Sequence, residues 1–255
     1  MSSHALVIFI LYFAVSALCV PFELSEDEVL DRHEESGGFY EGDMDIEQEE
    51  RNGLLAESKR WPNNVVYYRI NETFDAAHVG HILRGMQMIE EVSCIQFKPA
   101  PDDIETYIHV IGEPTGCHSK VGYLGKLQTV NLQIDPLDKG CFRLGTIIHE
   151  LLHSLGFHHQ QSTWNRDEFV IIAEENIKEG KEGNFKKRDA TVVSDFDTEY
   201  DYGSVLHYSA KAFSKNGEDT IIPLKVTDTV IGQRLGMSRT DIDKLNVMYK
   251  CPIKI

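Results

Sequence analysis

The chain has 255 residues, 42% hydrophobic content and a formal net charge of −16 at pH 7, enough apolar material for one sizeable core or two small lobes. Most of the charge is local: residues 20–51 hold thirteen acidic groups against Arg32 and Arg51, a net of −11, and the rest of the chain carries −5. No basic stripe appears, so nucleic acid is excluded as a partner.

In chain order, an apolar run from Ala5 to Val20 comes first and contains the small-residue pattern Ala17-Leu18-Cys19. It is short of the roughly 20 residues that span a bilayer and reads as a cleaved signal peptide over residues 1–19. No second apolar stretch approaches spanning length, so a soluble, secreted, extracellular product with no membrane partner is expected. The acidic segment 20–51 has few apolar anchors and cannot fold alone. Beyond it, Val65–Ile70 reads as a strand bounded by Pro62-Asn63-Asn64. Residues 75–93 carry Ala77, Ile82, Met86, Ile89 and Val92 at helical spacing. Ile95–Phe97, Tyr107–Ile111 and Thr129–Ile134 read as further strands. A second helix is expected over 144–155, with Ile147, Ile148, Leu151, Leu152 and Leu155 on its apolar stripe and Gly156 as its stop. After Phe157 regular signals thin out, until Ser238, a plausible N-cap with Asp241 on its first turn, opens a last helix through Met248.

Secretion fixes how the cysteines are read. Cys19 leaves with the signal, and Cys94, Cys117, Cys141 and Cys251 imply two disulfides whose pairing spacing alone does not choose. Asn71-Glu72-Thr73 is a glycosylation sequon suited to an exposed turn at Asn71.

The chemistry concentrates in HELLHSLGFHH, His149 to His159. His149 and His153 lie one helical turn apart on one face, so two imidazole nitrogens can bind one metal. Gly156 permits the left-handed turn that returns His159 as a third ligand. This set suits one Zn2+ per chain with a position left for water, and Glu150 beside the first ligand can take that water's proton as general base. The bland reading, an amphipathic helix with incidental histidines, does not account for the full HExxHxxGxxH pattern. The Gly-x-x-His spacing selects His159 over His158, which reads as a surface or packing residue.

That pattern is the extended zinc signature of the metzincins, and its flanks resemble the astacin family of metalloendopeptidases over nearly all of residues 61–251. The matches include Trp61-Pro62 with Val65-Val66, VSCIQF at 92–97, GCHSKVGYLG at 116–125, Arg166-Asp167, YDYGSVLHY at 200–208, IGQRLGMSRTDIDKLN at 231–246 and Tyr249-Lys250-Cys251. The resemblance implies an α+β, two-lobed protease with a mixed twisted sheet and active-site helix in the N-terminal lobe, an irregular C-terminal lobe, and zinc between them. It implies the pairs Cys94–Cys251 and Cys117–Cys141, and a catalytic Tyr208 that leaves zinc to stabilise the oxyanion. Tyr40-Glu41-Gly42-Asp43 is similar to the family's propeptide FxGD motif, making Asp43 a latch on zinc. Residues 20–51 are then a propeptide, removed by a trypsin-like protease at Arg51-Asn52, and 52–255 the catalytic domain.

Three departures stand out. Leu206 occupies a position usually Met, Gln160 one usually Glu that anchors the new amino terminus, and Thr163-Trp164-Asn165 interrupts the usual charged run. The expected activity is a secreted, monomeric zinc endopeptidase made as a zymogen and acting on protein or peptide substrates. The alternative is a catalytically silent relative that binds extracellular partners. A zinc carboxypeptidase fits the ligand spacing less well. With four residues after Cys251, substrate choice is expected to come from the cleft itself.

Overall fold

The computed structural model describes residues 35, 37–46, 57–190, 194–226 and 229–252. The apolar leader run with Cys19, and the Arg51-Asn52 bond, lie outside these residues.

Short β-rich segments, one amphipathic helix and one buried helix build the N-terminal lobe. Strands β1 (Val65–Ile70), β2 (Gln96–Pro99), β3 (Ile108–Ile111), β4 (Cys117–Ser119) and β5 (Gln128–Leu132) form one sheet in the order β2-β1-β3-β5-β4. All neighbours are parallel except β4, which runs antiparallel to β5 at the edge. Helix α1 (Ala76–Val92) starts where Asp75 accepts from the backbone N–H of Ala77 and His78, an N-cap that satisfies orphan donors. It buries Ile82, Gly85, Met86 and Ile89. Ala77, expected on that stripe, is exposed in the first turn.

Helix α2 (Leu144–Ser154) is buried along its whole length from Gly145. It packs against α1 where Gly85 meets Ile147, a contact so close that a Cβ at Gly85 would lie 2.6 Å from the isoleucine methyl. Its C-terminus is closed from several sides. Gly156 takes a φ of 104°, its N–H and that of Phe157 return to the carbonyls of His153 and Leu152, Trp61 Nε1 donates to Ser154 O at 2.8 Å and Tyr249 donates to Leu155 O at 2.8 Å. Replacing Gly156 by Ala would place a Cβ 2.9 Å from the Met248 methyl in a conformation disfavoured by about 1–2 kcal/mol. We expect that variant to unfold at lower denaturant by at least that amount and to bind zinc more weakly, as equilibrium unfolding and metal titration would show.

The second lobe is largely irregular, with one small sheet of β6 (Val170–Ile172) and β7 (Ile221–Pro223). It has its own core around Phe185, Tyr200, Tyr208, Phe213 and Ile221. Helix α3 (Arg239–Met248) returns to the first lobe, opened by a capping box between Ser238 and Asp241. Disulfides join Cys94 to Cys251, tying the end of α1 to the segment after α3, and Cys117 to Cys141, tying the edge strand to the approach of α2.

Candidate metal centre

Burial of α2 forces its histidines to find partners inside the protein. His149 Nδ1 donates to Val205 O at 2.8 Å and His153 Nδ1 to Phe157 O at 2.7 Å. His159, returned by the Gly156 turn, directs Nδ1 to Glu41 Oε2 at 2.9 Å. Acceptors on every Nδ1 assign the tautomer, so all three Nε2 atoms carry lone pairs. Those atoms face one another: His153 to His149 at 3.0 Å and His159 to His149 at 3.3 Å. Asp43 Oδ2 joins them, 2.9 Å from His149 Nε2 and 3.2 Å from His159 Nε2. Four converging acceptors repel one another unless a cation lies among them. A tetrahedral ion with ligand bonds of about 2.0–2.1 Å requires ligand atoms roughly 3.3 Å apart, close to the spacings here. The three imidazoles and one carboxylate therefore fit zinc.

The electrostatics agree. Burial, with Arg234 adding to it, pushes His149 down to about 3. Burial opposes charge on His159 too, but Asp43 and Glu41 outweigh it and lift that ring to about 9. One positive centre belongs where these rings meet the carboxylates, and a metal ion supplies it without protonating any Nε2.

Two further groups flank the centre. Glu150 follows His149 on α2 and is fully buried. Tyr208 is delivered by a turn that Asp241 pins, accepting from Ser204 Oγ at 2.6 Å and Val205 N at 2.9 Å. The Tyr208 ring centroid lies 4.6 Å from that of His159, and its hydroxyl donates to the Glu41 carbonyl. Burial, then the Glu41 and Asp43 carboxylates, hold the phenol well above its ordinary pKa, so it stays a proton donor. Leu206 is buried in the main core and its carbonyl accepts from Gln160 N at 3.1 Å.

The acidic segment crosses this site. Glu41 and Gly42 turn with φ of 46° and 87°, and Met44 N donates to Tyr40 O. The chain then pairs parallel to edge strand β4, with Ser119 N donating to Asp43 O and Asp45 N to Ser119 O, both at 2.9 Å. Met44 is buried against Val121. Glu41 also accepts from Ser162 Oγ at 2.8 Å and from Arg188 at 3.0 Å. Further upstream, Glu35 accepts from Ser209 N at 2.8 Å and Arg234 at 3.3 Å.

Of the residues expected in one site, His149, His153, His159 and Asp43 converge, the Tyr208 ring lies beside His159, and Glu150 is buried next to His149 on α2. Sequence reasoning missed Glu35, Glu41, Ser162 and Arg188, because nothing in the local pattern separates a carboxylate bound for a buried arginine from a solvated one. His158 is buried, with neither ring nitrogen hydrogen-bonded among the described residues. Gln160, in the position usually held by Glu, accepts from buried Lys244 Nζ at 2.6 Å.

Two helical histidines with a third across a glycine turn define the zinc peptidases of the HExxHxxGxxH class, and the chain falls in that class. Within it the chain belongs to the astacin family of peptidases, whose model matches residues 54–250. It is 46% identical over 220 residues to seminal metalloprotease 1 of Drosophila melanogaster, covering 84% of this chain and 88% of that protein. It is 38% identical to zinc metalloproteinase nas-7 of Caenorhabditis elegans, covering 80% of this chain but about half (52%) of that longer protein. Among solved structures, high choriolytic enzyme 1, a hatching enzyme zinc-protease from the medaka Oryzias latipes, superposes with a TM-score of 0.69 at 36% identity, covering 76% of this chain and 94% of that one. The fold is thus the two-lobed α+β fold of a zinc metalloendopeptidase. Among the described residues no helix is long and apolar enough to cross a membrane.

Proposed function

We propose that the chain is the zymogen of a secreted endopeptidase, with residues 1–19 as signal, 20–51 as propeptide and 52–255 as catalytic domain, activated by a trypsin-like cut at Arg51-Asn52. The observation that carries this reading is the convergence of Asp43 with the three histidine Nε2 atoms, since a leader carboxylate there occupies the place a substrate or water needs. Zinc, when bound by His149, His153 and His159, supplies a Lewis acid that makes water a nucleophile near neutral pH. Glu150 takes the water's proton and passes it to the leaving amine. Once Glu41 has left, the Tyr208 hydroxyl is free to donate to the oxyanion forming on the scissile carbonyl.

Secretion suits the two disulfides. A glycan at Asn71 suits the exposed turn in which Asn71 Oδ1 accepts from Thr73 N at 2.9 Å. The active form is proposed to be a monomer acting on proteins or peptides. The test is the full chain, clipped after Arg51 and presented with a denatured protein. Internal cleavage that a chelator stops and added zinc restores is expected. A zinc-loaded protein that cuts nothing would be the silent binder instead, and release of terminal residues alone would make it an exopeptidase.

A further inference from the structure

A 3-10 turn, Gln160–Ser162, follows the third metal ligand directly. Gln161 in that turn is fully buried. Its carbonyl accepts from Arg166 Nη1 at 3.0 Å, and its side-chain Oε1 accepts from the backbone N–H of Tyr208 at 3.1 Å. Only an oxygen can satisfy that N–H, which fixes how the amide is turned. Its Nε2 then has no hydrogen-bond partner among the described residues. A buried amide with its donor unused is unfavourable for folding, so the bond it does make is the one feature an apolar side chain of like size would lack. The loop that carries Tyr208 is held at three points. Asp241 fixes residues 204 and 205, Gln160 N donates to Leu206 O, and Gln161 takes Tyr208 N. The Tyr208 carbonyl accepts only from its neighbour, His207 Nδ1, at 2.7 Å, a bond internal to the loop. The phenol's own hydrogen bond goes to Glu41 O, and that acceptor leaves with the leader. Of the described hydrogen bonds on Tyr208, those at its backbone then remain, so the reach of its hydroxyl is set by where its peptide is held. A phenol hydroxyl stands at the end of a long arm, and a misplacement of about 1 Å costs on the order of a hundredfold in rate.

We infer that Gln161 is a positioning residue for the oxyanion donor: its side-chain oxygen fixes the Tyr208 peptide relative to His159, two residues upstream of it, so that the freed phenol meets the scissile carbonyl. This rests on the proposed role of Tyr208, though the link from Gln161 to the Tyr208 peptide can be read without turnover.

The experiment is a double-mutant cycle on the clipped, zinc-loaded protein with a peptide substrate. Tyr208→Phe is expected to lower kcat by about 10²–10³-fold, as the loss of one oxyanion donor does. Gln161→Met keeps the volume and removes the acceptor, and should lower kcat by about 10–100-fold with KM within about threefold of the parent. Placed on top of Tyr208→Phe, the same change should cost less than about threefold, because a residue that acts through the phenol has nothing left to position. A merely structural role would cost the same factor in both backgrounds, and that result would overturn the inference. In parallel, hydrogen exchange at the Tyr208 N–H is followed by mass spectrometry with residue-level fragmentation. Gln161→Met should speed that exchange at least about tenfold, while Val205 N–H, held by Asp241, stays within about threefold. Gln161→Glu retains an accepting oxygen and should keep Tyr208 protected to within about threefold, so it carries the exchange test if the methionine variant folds poorly. Unchanged exchange in a folded Gln161→Met, or lost protection in a folded Gln161→Glu, would overturn the inference whether or not the protein cuts anything. Full activity of Tyr208→Phe is a separate outcome: it would remove the phenol from the proposed chemistry, and with it any positioning through Gln161.

Discussion

Glu150→Gln is expected to lower kcat on a peptide or denatured protein by about 10²–10⁴-fold, the usual contribution of a positioned general base, while zinc stays at one per chain. The residue lies between two metal-directed histidines on a helix with no exposed side, so the substitution must preserve shape to be informative. Glutamine keeps the volume and the hydrogen-bonding oxygen and loses only the ability to take up a proton. In the clipped protein His149 and His153 keep their own supports in Val205 O and Phe157 O, neither of which involves Glu150. Metal affinity and folding are therefore expected to change little, and the loss falls on the chemical step. Metal analysis with steady-state kinetics on the clipped protein separates the two. A glutamine variant with full zinc and activity within tenfold of the parent would place the base elsewhere.

Much of this site is legible in the sequence because the information is local. A helical period, a glycine stop and Gly-x-x-His spacing are enough to bring three imidazoles to one point, and the capping box at Ser238 and Asp241 announces α3 in the same way. Other features resist for physical reasons. Strand β4 is three residues long and all are buried, so it shows no alternation, yet it is the edge on which the leader lies. Strands β6 and β7 are equally short. The leader is the clearest case: its acidity reads as a solvated tail, but Glu35 and Glu41 are buried by pairing with Arg234 and Arg188, partners well over a hundred positions away. Periodicity has no access to pairing at that separation. Gln160 illustrates the same limit, since its loss of charge looks like a defect until Lys244 arrives from α3.

In the uncut full chain, Asp43→Ala is expected to give hydrolysis of small peptides at least about ten to a hundredfold above the uncut parent. A charge-assisted contact is worth about 1.5–3 kcal/mol, and each 1.4 kcal/mol of lost hold is tenfold more open cleft. Asp43 is not the leader's only grip. Glu41 is held by Arg188, Ser162 and His159, Glu35 by Arg234 and Ser209, and Ser119 pairs with the backbone on both sides of residue 44. Removing Asp43 therefore opens the metal's fourth position while the leader still obstructs the cleft, so small peptides should be cut before folded or extended proteins are. Adding Glu41→Gln weakens the second grip, the charged contacts of the Glu41 carboxylate with Arg188 and His159, so the double variant should gain on protein substrates as well. Mass spectrometry must show the leader intact in each sample, because a trace of clipped protein would imitate the effect. Latency equal to the parent's in intact Asp43→Ala would mean that the other two carboxylates, rather than the one at the metal, hold the enzyme shut.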